Sequence, residues 1–265
     1  MSGTLRDWAA APLLLLTAIA ALAAWFVPAG WNWLAVVAVF AVFIAALGRI
    51  STGRTLGILI NERRCMSLSR FQMVLWTVLI VSAYLVIAMA RVKNRDVAEP
   101  LIVGVDWTIW TLLGMSTTSL LGTPLLNGTK TRKEPRDVAN QPRVVERAAA
   151  ALGERSNDVE ANRAGLLYAN TSIDDARFAD MLEGEELANT QFIDVGKLQL
   201  FFFTAVVATV YGVQLFQLIG HNVLTDDVSL PALNQGLLGL LGVSHAGYLG
   251  SKGITARRPA HEPGP

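Results

Sequence analysis

Long apolar runs recur along the chain, and charged residues are concentrated between them. A helix needs roughly 20 mostly apolar residues to cross the hydrocarbon core of a bilayer, which is about 30 Å thick. Six stretches meet this requirement: residues 9–28, 31–48, 71–90, 101–122, 198–220 and 229–250. Asp106 is the one residue in these stretches that carries a formal charge. The pattern predicts an all-α integral membrane protein with six transmembrane helices.

The overall composition supports a chain that lives in a lipid bilayer. Hydrophobic residues make up 52% of the 265 residues and charged residues only 16%, whereas soluble domains carry about a quarter charged residues. The net charge of +1 offers no basic excess for a nucleic-acid partner. The single Cys65 excludes an internal disulfide framework and a Cys-rich metal site.

Basic residues in the loops predict how the chain is oriented. With the N-terminus in the cytosol, the short inner segments hold nine Lys and Arg residues and the outer loops hold three. Cytoplasmic loops carry such an excess, so we expect cytosolic N- and C-termini. The first apolar run could instead be a cleaved signal peptide. We expect a retained helix, since the next apolar run begins almost at once.

The charge distribution divides the chain into six parts. The segment 123–197 contains 10 basic and 13 acidic residues and is expected to be cytosolic. Its beginning is typical of a flexible linker, and residues 143–153 and 173–187 predict short helices. The predicted parts are a hairpin at 1–50, a basic loop at 51–70, a hairpin at 71–122, the charged segment 123–197, a hairpin at 198–250 and a tail at 251–265.

Two of the predicted hairpins carry matching motifs. Residues 70–77 (RFQMVLWT) align with residues 197–204 (KLQLFFFT) at an offset of 127, and residues 112–116 (LLGMS) align with residues 240–244 (LLGVS) at 128. We interpret helices 3–4 and 5–6 as two copies of one hairpin. Because each copy has two helices, the repeat is parallel.

The repeated polar and small residues are candidates for helix packing or for lining a pore. We expect Thr77 to contact Ser116 and Thr204 to contact Ser244, because their depths match. Small residues such as Gly114 allow close packing in lipid. The same residues could line a cytosolic vestibule, and both interpretations stay open. The full set of candidates is Gln72, Thr77, Gly114, Ser116, Gln199, Thr204, Gly242, Ser244 and His245.

Acidic residues are candidates for attracting ions. Asp106 lies within a predicted span, and it could form a cation site at the outer mouth or reach lipid headgroups. An acidic group from Asp174 to Glu186 precedes the fifth predicted span (residues 198–220) and could concentrate cations near a pore or form a solvated helix face; its ion-attracting candidates are Asp180, Glu183, Glu185 and Glu186. The three His residues and Cys65 lack metal-ligand spacing, so we expect no metal site and no cofactor.

Three sequence runs carry a resemblance: SLSRFQMVLWT, LEGEELANTQFIDVGKLQLFFFT and LLGVSHAGYLGSK. In these runs the chain resembles a family of uncharacterised bacterial multi-pass membrane proteins, over roughly residues 56–122 and 180–252. The resemblance implies a bacterial origin and supports the segment boundaries, and it transfers no activity. With the apolar spans it implies the bacterial inner (cytoplasmic) membrane.

The sequence lacks the motifs of common enzyme classes, including the phosphate-binding loop, the nucleophile elbow and the paired-His zinc motif. We therefore predict no enzyme activity and name no catalytic residues. The main hypothesis is a homo-oligomeric ion channel whose charged cytosolic segment regulates it. The alternative is a non-conducting membrane scaffold or sensor whose segment 123–197 binds a cytosolic partner protein.

Overall fold

The protein is largely helical, as the apolar pattern predicts. The structure, a computed structural model, describes residues 4–94, 99–131, 141–221 and 228–253, and helix accounts for 72% of it. The α-helices in the described part are α1 (Thr4–Phe26), α2 (Trp31–Thr52), α3 (Leu68–Lys93), α4 (Trp107–Thr131), α5 (Gln141–Leu152), α6 (Ser156–Asn162), α7 (Val195–Gly220) and α8 (Gln235–Gly253). The prediction of an all-α protein is confirmed.

Three helices are long and apolar enough to cross a membrane: α2, α3 and α7. Each has 22 or 26 residues, and at 1.5 Å per residue about 20 residues cover the hydrocarbon core. In α1 the apolar part Ala11–Phe26 is shorter. These helices agree with a location in a membrane.

The chain forms two compact units. Unit 1 comprises Met1–Leu59, Arg70–Ser116 and Phe203–Leu241. Its core is apolar and includes the fully buried Trp76, Ile87 and Tyr211. The strands β1 (Gly104–Val105) and β2 (Ser229–Leu230) pair in parallel in this unit, with Gly104 opposite Ser229. At the α1–α2 turn, Gly30 adopts a φ of +82°, a conformation that favours glycine.

Unit 2 comprises Ile60–Ser69, Thr117–Phe202 and Gly242–Pro265. A small apolar core joins α5 and α6 to neighbouring loops; it includes Cys65, Val145, Ala148, Ala149, Val159, Tyr168 and Leu187. The predicted helix at 143–153 corresponds to α5, which ends at Leu152. Gly153 follows with a φ of +71°, as expected for a glycine stop.

Two predictions for the charged segment are wrong. Residues 123–131 belong to α4, which carries Pro124 inside it, whereas we expected the hairpin to end at 122. The rest of the predicted linker, residues 132–140, lies outside the described residues.

The predicted helix at 173–187 is replaced by two 3-10 turns, Ile173–Asp175 and Phe178–Met181. Aspartate side chains accept backbone N–H groups here: Asp175 from Ser172 at 2.7 Å and Asp180 from Arg177 at 2.9 Å. Such local bonds compete with the bonds of an α-helix.

Candidate functional site

A nearly buried carboxylate in unit 2 binds three cationic side chains. Glu185 Oε2 accepts from Arg63 Nη2 at 2.9 Å and from Asn127 Nδ2 at 3.1 Å. Its Oε1 accepts from Lys252 Nζ at 2.5 Å and lies 3.2 Å from Lys197 Nζ. We call these five residues the Glu185 cluster. It joins the loop before α3 to α4, α7 and α8.

Local backbone structure holds each cation in place. Arg63 lies in a tight loop in which Asn61 Oδ1 accepts from the backbone N–H groups of Arg63 and Cys65, at 2.9 and 3.1 Å. Lys197 lies in the first turn of α7, where Asp194 Oδ1 caps the helix by accepting from Gly196 N at 2.9 Å. The backbone around Arg63 and Lys197 is therefore held in place by hydrogen bonds that do not involve Glu185.

The electrostatics of the cluster are unbalanced. Three cations surround one carboxylate, and their side chains are 8%, 4% and 6% exposed for Arg63, Lys197 and Lys252. Burial by itself would raise the pKa of Glu185, but Lys197, Lys252 and Arg63 outweigh it and hold that pKa well below its usual range. Glu185 is therefore ionised at neutral pH.

Two further donors of the cluster bind backbone carbonyls. Lys197 Nζ donates to Glu183 O at 2.6 Å, and Arg63 Nη1 donates to Tyr168 O at 3.0 Å. The Lys252 ammonium also lies 4.6 Å from the centre of the Tyr248 ring, a distance at which a cation is attracted to an aromatic face. These contacts tie Glu185 to the backbone of the segment around it.

A small cavity lies against the cluster. It has a volume of about 20 Å³ and is lined by polar residues that include Arg63, Asp180 and Lys197. A volume of this size accommodates about one water molecule, which is too little for an organic substrate. Cys65 also lines it, and burial raises the pKa of its thiol to about 11. The thiol is thus protonated and weakly nucleophilic at neutral pH.

The acidic candidates before α7 do not form a solvated helix face. The side chains of Asp180 and Glu186 are 5% and 12% exposed. Asp180 accepts from Met66 N at 3.1 Å, and Glu186 pairs with Lys130 at 2.7 Å. Glu183 is the most exposed, at 27%. Most of this acidic group therefore serves internal contacts.

Asp106 precedes α4 instead of lying within it. Its Oδ1 accepts from Thr108 N at 2.8 Å and from Thr108 Oγ1 at 2.5 Å. The same hydroxyl accepts from Leu233 N at 2.9 Å. The Thr108 hydroxyl and backbone N–H lower the pKa of Asp106. The carboxylate thus caps a helix, a role that neither of our two interpretations included.

The repeated polar residues form hydrogen bonds with each other. In unit 1, Gln72 Nε2 donates to Thr204 Oγ1 at 2.6 Å, and both residues are fully buried. In unit 2, Gln199 Nε2 donates to Ser244 Oγ at 3.4 Å. The expected contact of Thr204 with Ser244 stays a prediction.

Other members of the candidate set have separate environments. Thr77 is exposed, whereas Ser116 is fully buried and its Oγ has no hydrogen-bond partner in the described part of the chain. The Thr77 and Ser116 hydroxyls are therefore not hydrogen-bonded to each other, and their expected contact stays a prediction. A Cβ at Gly114 would meet no atom within 4 Å among the described residues, so Gly114 mediates no close helix packing in this part of the chain. Gly242 is half-buried.

His245 pairs with a neighbouring helix. Its Nδ1 lies 2.6 Å from Ser119 Oγ of α4, and both side chains are buried. The pairing gives His245 a packing role between α8 and α4.

Sequence reasoning missed most of the Glu185 cluster. Arg63 and Lys252 were counted only among the basic residues that predict the orientation, and Lys197 only as the first residue of a repeated motif. A signal was present, since each lysine lies within two residues of an apolar run. Only the fold, however, brings residues 63, 127, 197 and 252 to one carboxylate.

Comparison with known proteins adds no relative. No protein-family model matches the chain, and neither a curated protein nor a solved structure matches it. Among the described residues, no group of three or more His, Cys, Asp or Glu side chains is arranged to hold a metal ion.

Proposed function

We propose that the protein is a non-conducting membrane scaffold or sensor whose folded segment 123–197 binds a partner protein in the cytosol. The observation that carries this proposal is the pairing of the pore candidates with each other. Gln72 bonds to Thr204, Gln199 to Ser244, and Ser119 to His245. Side chains that satisfy each other between helices stabilise a bundle and are not available to replace the hydration shell of an ion.

The cytosolic segment offers a formed surface to a partner. Helix α5 buries Val145, Ala148 and Ala149 in the core of unit 2, while Glu146 and Arg147 are exposed on the other face. Helix α6 adds the exposed Asn157. A rigid, charged helical surface favours specific recognition, because little conformational entropy is lost on binding.

The Glu185 cluster supplies a means of coupling the segment to membrane helices. Glu185 lies in the segment, Lys197 in the first turn of α7, and Lys252 in the last turn of α8. Buried ion pairs are sensitive to small displacements, since a separated charge is left unpaired at a high energetic cost. A partner that shifts the backbone at Glu185 would therefore bias the positions of α7 and α8.

Site-specific photo-crosslinking in cells tests this proposal on the full chain. A photoreactive amino acid at Arg147 or Asn157 is expected to give one discrete adduct with another protein. The control position is Thr209, which is exposed on α7 and should give no protein adduct. The absence of adducts at Arg147 and Asn157, together with selective ion flux, would reject the scaffold.

The same proposal includes a topology. We propose six spans formed by α1 to α4, α7 and α8, in the bacterial inner membrane with both termini cytosolic. Helices α4 and α8 have 25 and 19 residues, which cover roughly 28–38 Å at 1.5 Å per residue. The internal repeat rests on the matched motifs; in accord with it, α3 and α7 both have 26 residues.

A second candidate function is the homo-oligomeric ion channel, and one observation favours it. Four buried polar atoms on neutral side chains of unit 1 have no hydrogen-bond partner in the described residues: Gln72 Oε1, Trp76 Nε1, Ser116 Oγ and Tyr211 OH. Gln72 and Trp76 are one helical turn apart on α3. Buried groups with spare hydrogen-bonding capacity are the kind that an internal water file would bind.

Ion flux into liposomes distinguishes the two candidates. For the channel we expect selective flux of potassium, sodium, calcium or chloride that is reduced in Ser116→Val. Thr117→Val is the matched control, because Thr117 is exposed and its substitution should leave flux unchanged. For the scaffold we expect no flux from any of these proteins.

A further inference from the structure

Four bulky apolar side chains of unit 2 are exposed in the segment that leads into α7. Phe178 is 50% exposed, Phe192 60%, Ile193 61% and Val195 73%. We call these four residues the Phe192 patch. Exposed groups of large apolar side chains mark a site of contact with a protein or a membrane. The patch differs in this respect from the charged surface elsewhere in unit 2.

Backbone hydrogen bonds hold the patch in this outward arrangement. Gly184 N donates to Phe192 O at 3.0 Å, and Asp194 N donates to Leu182 O at 2.8 Å. Asp194 then caps α7 through Gly196 N. The exposure of Phe192 and Ile193 is therefore built into a fixed loop.

The contact of Phe178 with α7 indicates that the apolar surrounding of the patch is lipid. The Phe178 ring lies 5.7 Å from the ring of Phe201 and meets it edge-on at 81°. Phe201 is inside the charge-free run that begins at Leu198, about 4.5 Å further along the helix axis at 1.5 Å per residue. Helix α7 is long and apolar enough to cross a membrane, so Phe178 lies level with its first apolar turn.

We propose that the Phe192 patch inserts into the headgroup and acyl boundary of the leaflet in which α7 begins. Its occupant is the lipid surface itself, because the patch is continuous with the lipid-facing part of a spanning helix: Val195 is both the last patch residue and the first residue of α7. Apolar faces of proteins that bind at a membrane surface are buried in this boundary region, where aromatic and aliphatic side chains contact the acyl chains.

Charged residues near the patch indicate which lipid headgroups its insertion requires. Asp174 and Asp175 are exposed on the neighbouring 3-10 turn and oppose attraction to anionic headgroups, whereas the exposed Arg177 beside Phe178 favours it. Charge near the patch therefore gives no clear preference for anionic lipid. Insertion therefore depends on apolar contact, and zwitterionic vesicles support it as well as anionic ones. The inference goes beyond the proposed function: it concerns lipid contact, and it stands whether or not segment 123–197 binds a protein.

Spin labelling of the full chain in phosphatidylcholine vesicles tests the insertion. Nitroxides are placed at Phe178→Cys and Phe192→Cys, with Asn157→Cys on α6 as the water-exposed reference. Because Cys65 is buried and its thiol pKa is raised, the native cysteine labels slowly; a Cys65→Ala background repeats the measurement without it. Accessibility is compared for molecular oxygen, which concentrates in lipid, and for a water-soluble nickel complex.

We expect the oxygen-to-nickel accessibility ratio to be several-fold higher at positions 178 and 192 than at 157, and unchanged when anionic lipid is added. Equal ratios at all three positions would overturn the proposal, since the patch would then lie in water. Protection from both reagents that disappears when the protein is diluted with lipid would also overturn it, because a second copy would then cover the patch.

Discussion

The buried side-chain hydrogen bonds described in unit 1 join mainly neutral groups, whereas unit 2 holds a buried ionic cluster. In unit 1, Gln72 pairs with Thr204 and Trp33 Nε1 donates to Ser82 Oγ at 2.9 Å. The buried Arg91 of unit 1 donates to the carbonyl of Ile102, close to the end of α3. In unit 2, Glu185 binds Arg63, Lys197 and Lys252.

The difference follows the cost of burying each kind of group. A neutral amide or hydroxyl can be buried in an apolar surrounding at a modest cost when it bonds to a neighbouring side chain. A charge in hydrocarbon costs several kcal/mol even on the lowest scales (about 2.5–3.5 for Lys, Arg or Asp), so ionic clusters belong near water. The neutral pairs of unit 1 are therefore compatible with hydrocarbon, whereas the Glu185 cluster is the part of unit 2 that belongs near water.

The largest expected effect comes from neutralising the carboxylate of the Glu185 cluster. Glu185→Gln leaves three buried cations without their counterion, and removal of one partner from a buried ion pair costs about 3–5 kcal/mol. We expect unit 2 to open more often and Cys65 to react faster with a maleimide. Because Cys65 is the only cysteine of the chain, the labelling rate reports on this unit directly.

Glu160→Gln provides the matched control for that substitution. Glu160 pairs with Arg163 at 2.8 Å, but its side chain is 43% exposed, and such surface pairs contribute about 0–1 kcal/mol. Labelling of Cys65 should therefore stay near the wild-type rate. If Glu185→Gln labels no faster than Glu160→Gln, the cluster does not stabilise unit 2.

Acid should reproduce part of the effect of Glu185→Gln. The pKa of Glu185 in the folded protein is held well below its ordinary value of 4.5. The stabilisation by its ionised form is therefore fully present above pH 4.5 and is lost as the pH falls through the folded pKa. We expect faster hydrogen exchange at backbone amides 182–187, after correction for intrinsic exchange rates, as the pH is lowered below 4.5.

The Glu185→Gln protein identifies the source of this pH dependence. It lacks the titrating group, so its corrected exchange rates at these amides should change much less with pH. An equal acid response in both proteins would assign the effect to other carboxylates.

A smaller effect is expected from the neutral pair of unit 1. Thr204→Val removes the acceptor of Gln72 Nε2, and an unpaired buried donor costs about 1–3 kcal/mol in general, with about 0.6 kcal/mol typical between membrane helices. Unfolding in mixed detergent micelles measures the loss. Thr77→Val is the control from the matching position of the other motif; Thr77 is exposed, and its substitution should be nearly neutral. Similar losses for both variants would contradict the pairing.

The sequence predicted those features of the fold that depend on local pattern. Apolar runs with few charges located α2, α3 and α7, and good helix formers followed by Gly153 located α5. These signals depend on neighbours within one helix, where periodicity and end residues are decisive. The same logic failed at 173–187, because Asp175 and Asp180 bind backbone N–H groups and favour 3-10 turns.

The candidate site was predictable only in its acidic half. The run Glu183–Glu186 was noticed as a charged group, but its cationic partners come from positions up to 122 residues away in the chain. No local pattern links Arg63 to Glu185. The matching motifs at 70–77 and 197–204 identified Gln72 and Thr204 as related positions, yet their direct hydrogen bond depends on how α3 and α7 pack.

The smallest expected effect comes from a substitution at Gly114. It tests whether the open space beside Gly114 in unit 1 is filled by a second copy of the chain. A Cβ at this position meets no atom within 4 Å among the described residues, and glycine in a helix interior is destabilising by roughly 0.5–1 kcal/mol relative to alanine. In a monomer, Gly114→Ala should therefore stabilise unit 1 slightly in the same detergent unfolding assay, because the unfolded chain loses entropy and no contact is lost. If a second copy packs its helix against Gly114, the added methyl group would instead weaken the assembly, and the mass measured by light scattering would fall. A stabilised variant whose measured mass is unchanged would show that no second copy packs against Gly114. A variant whose measured mass falls would assign this face of α4 to contacts between copies.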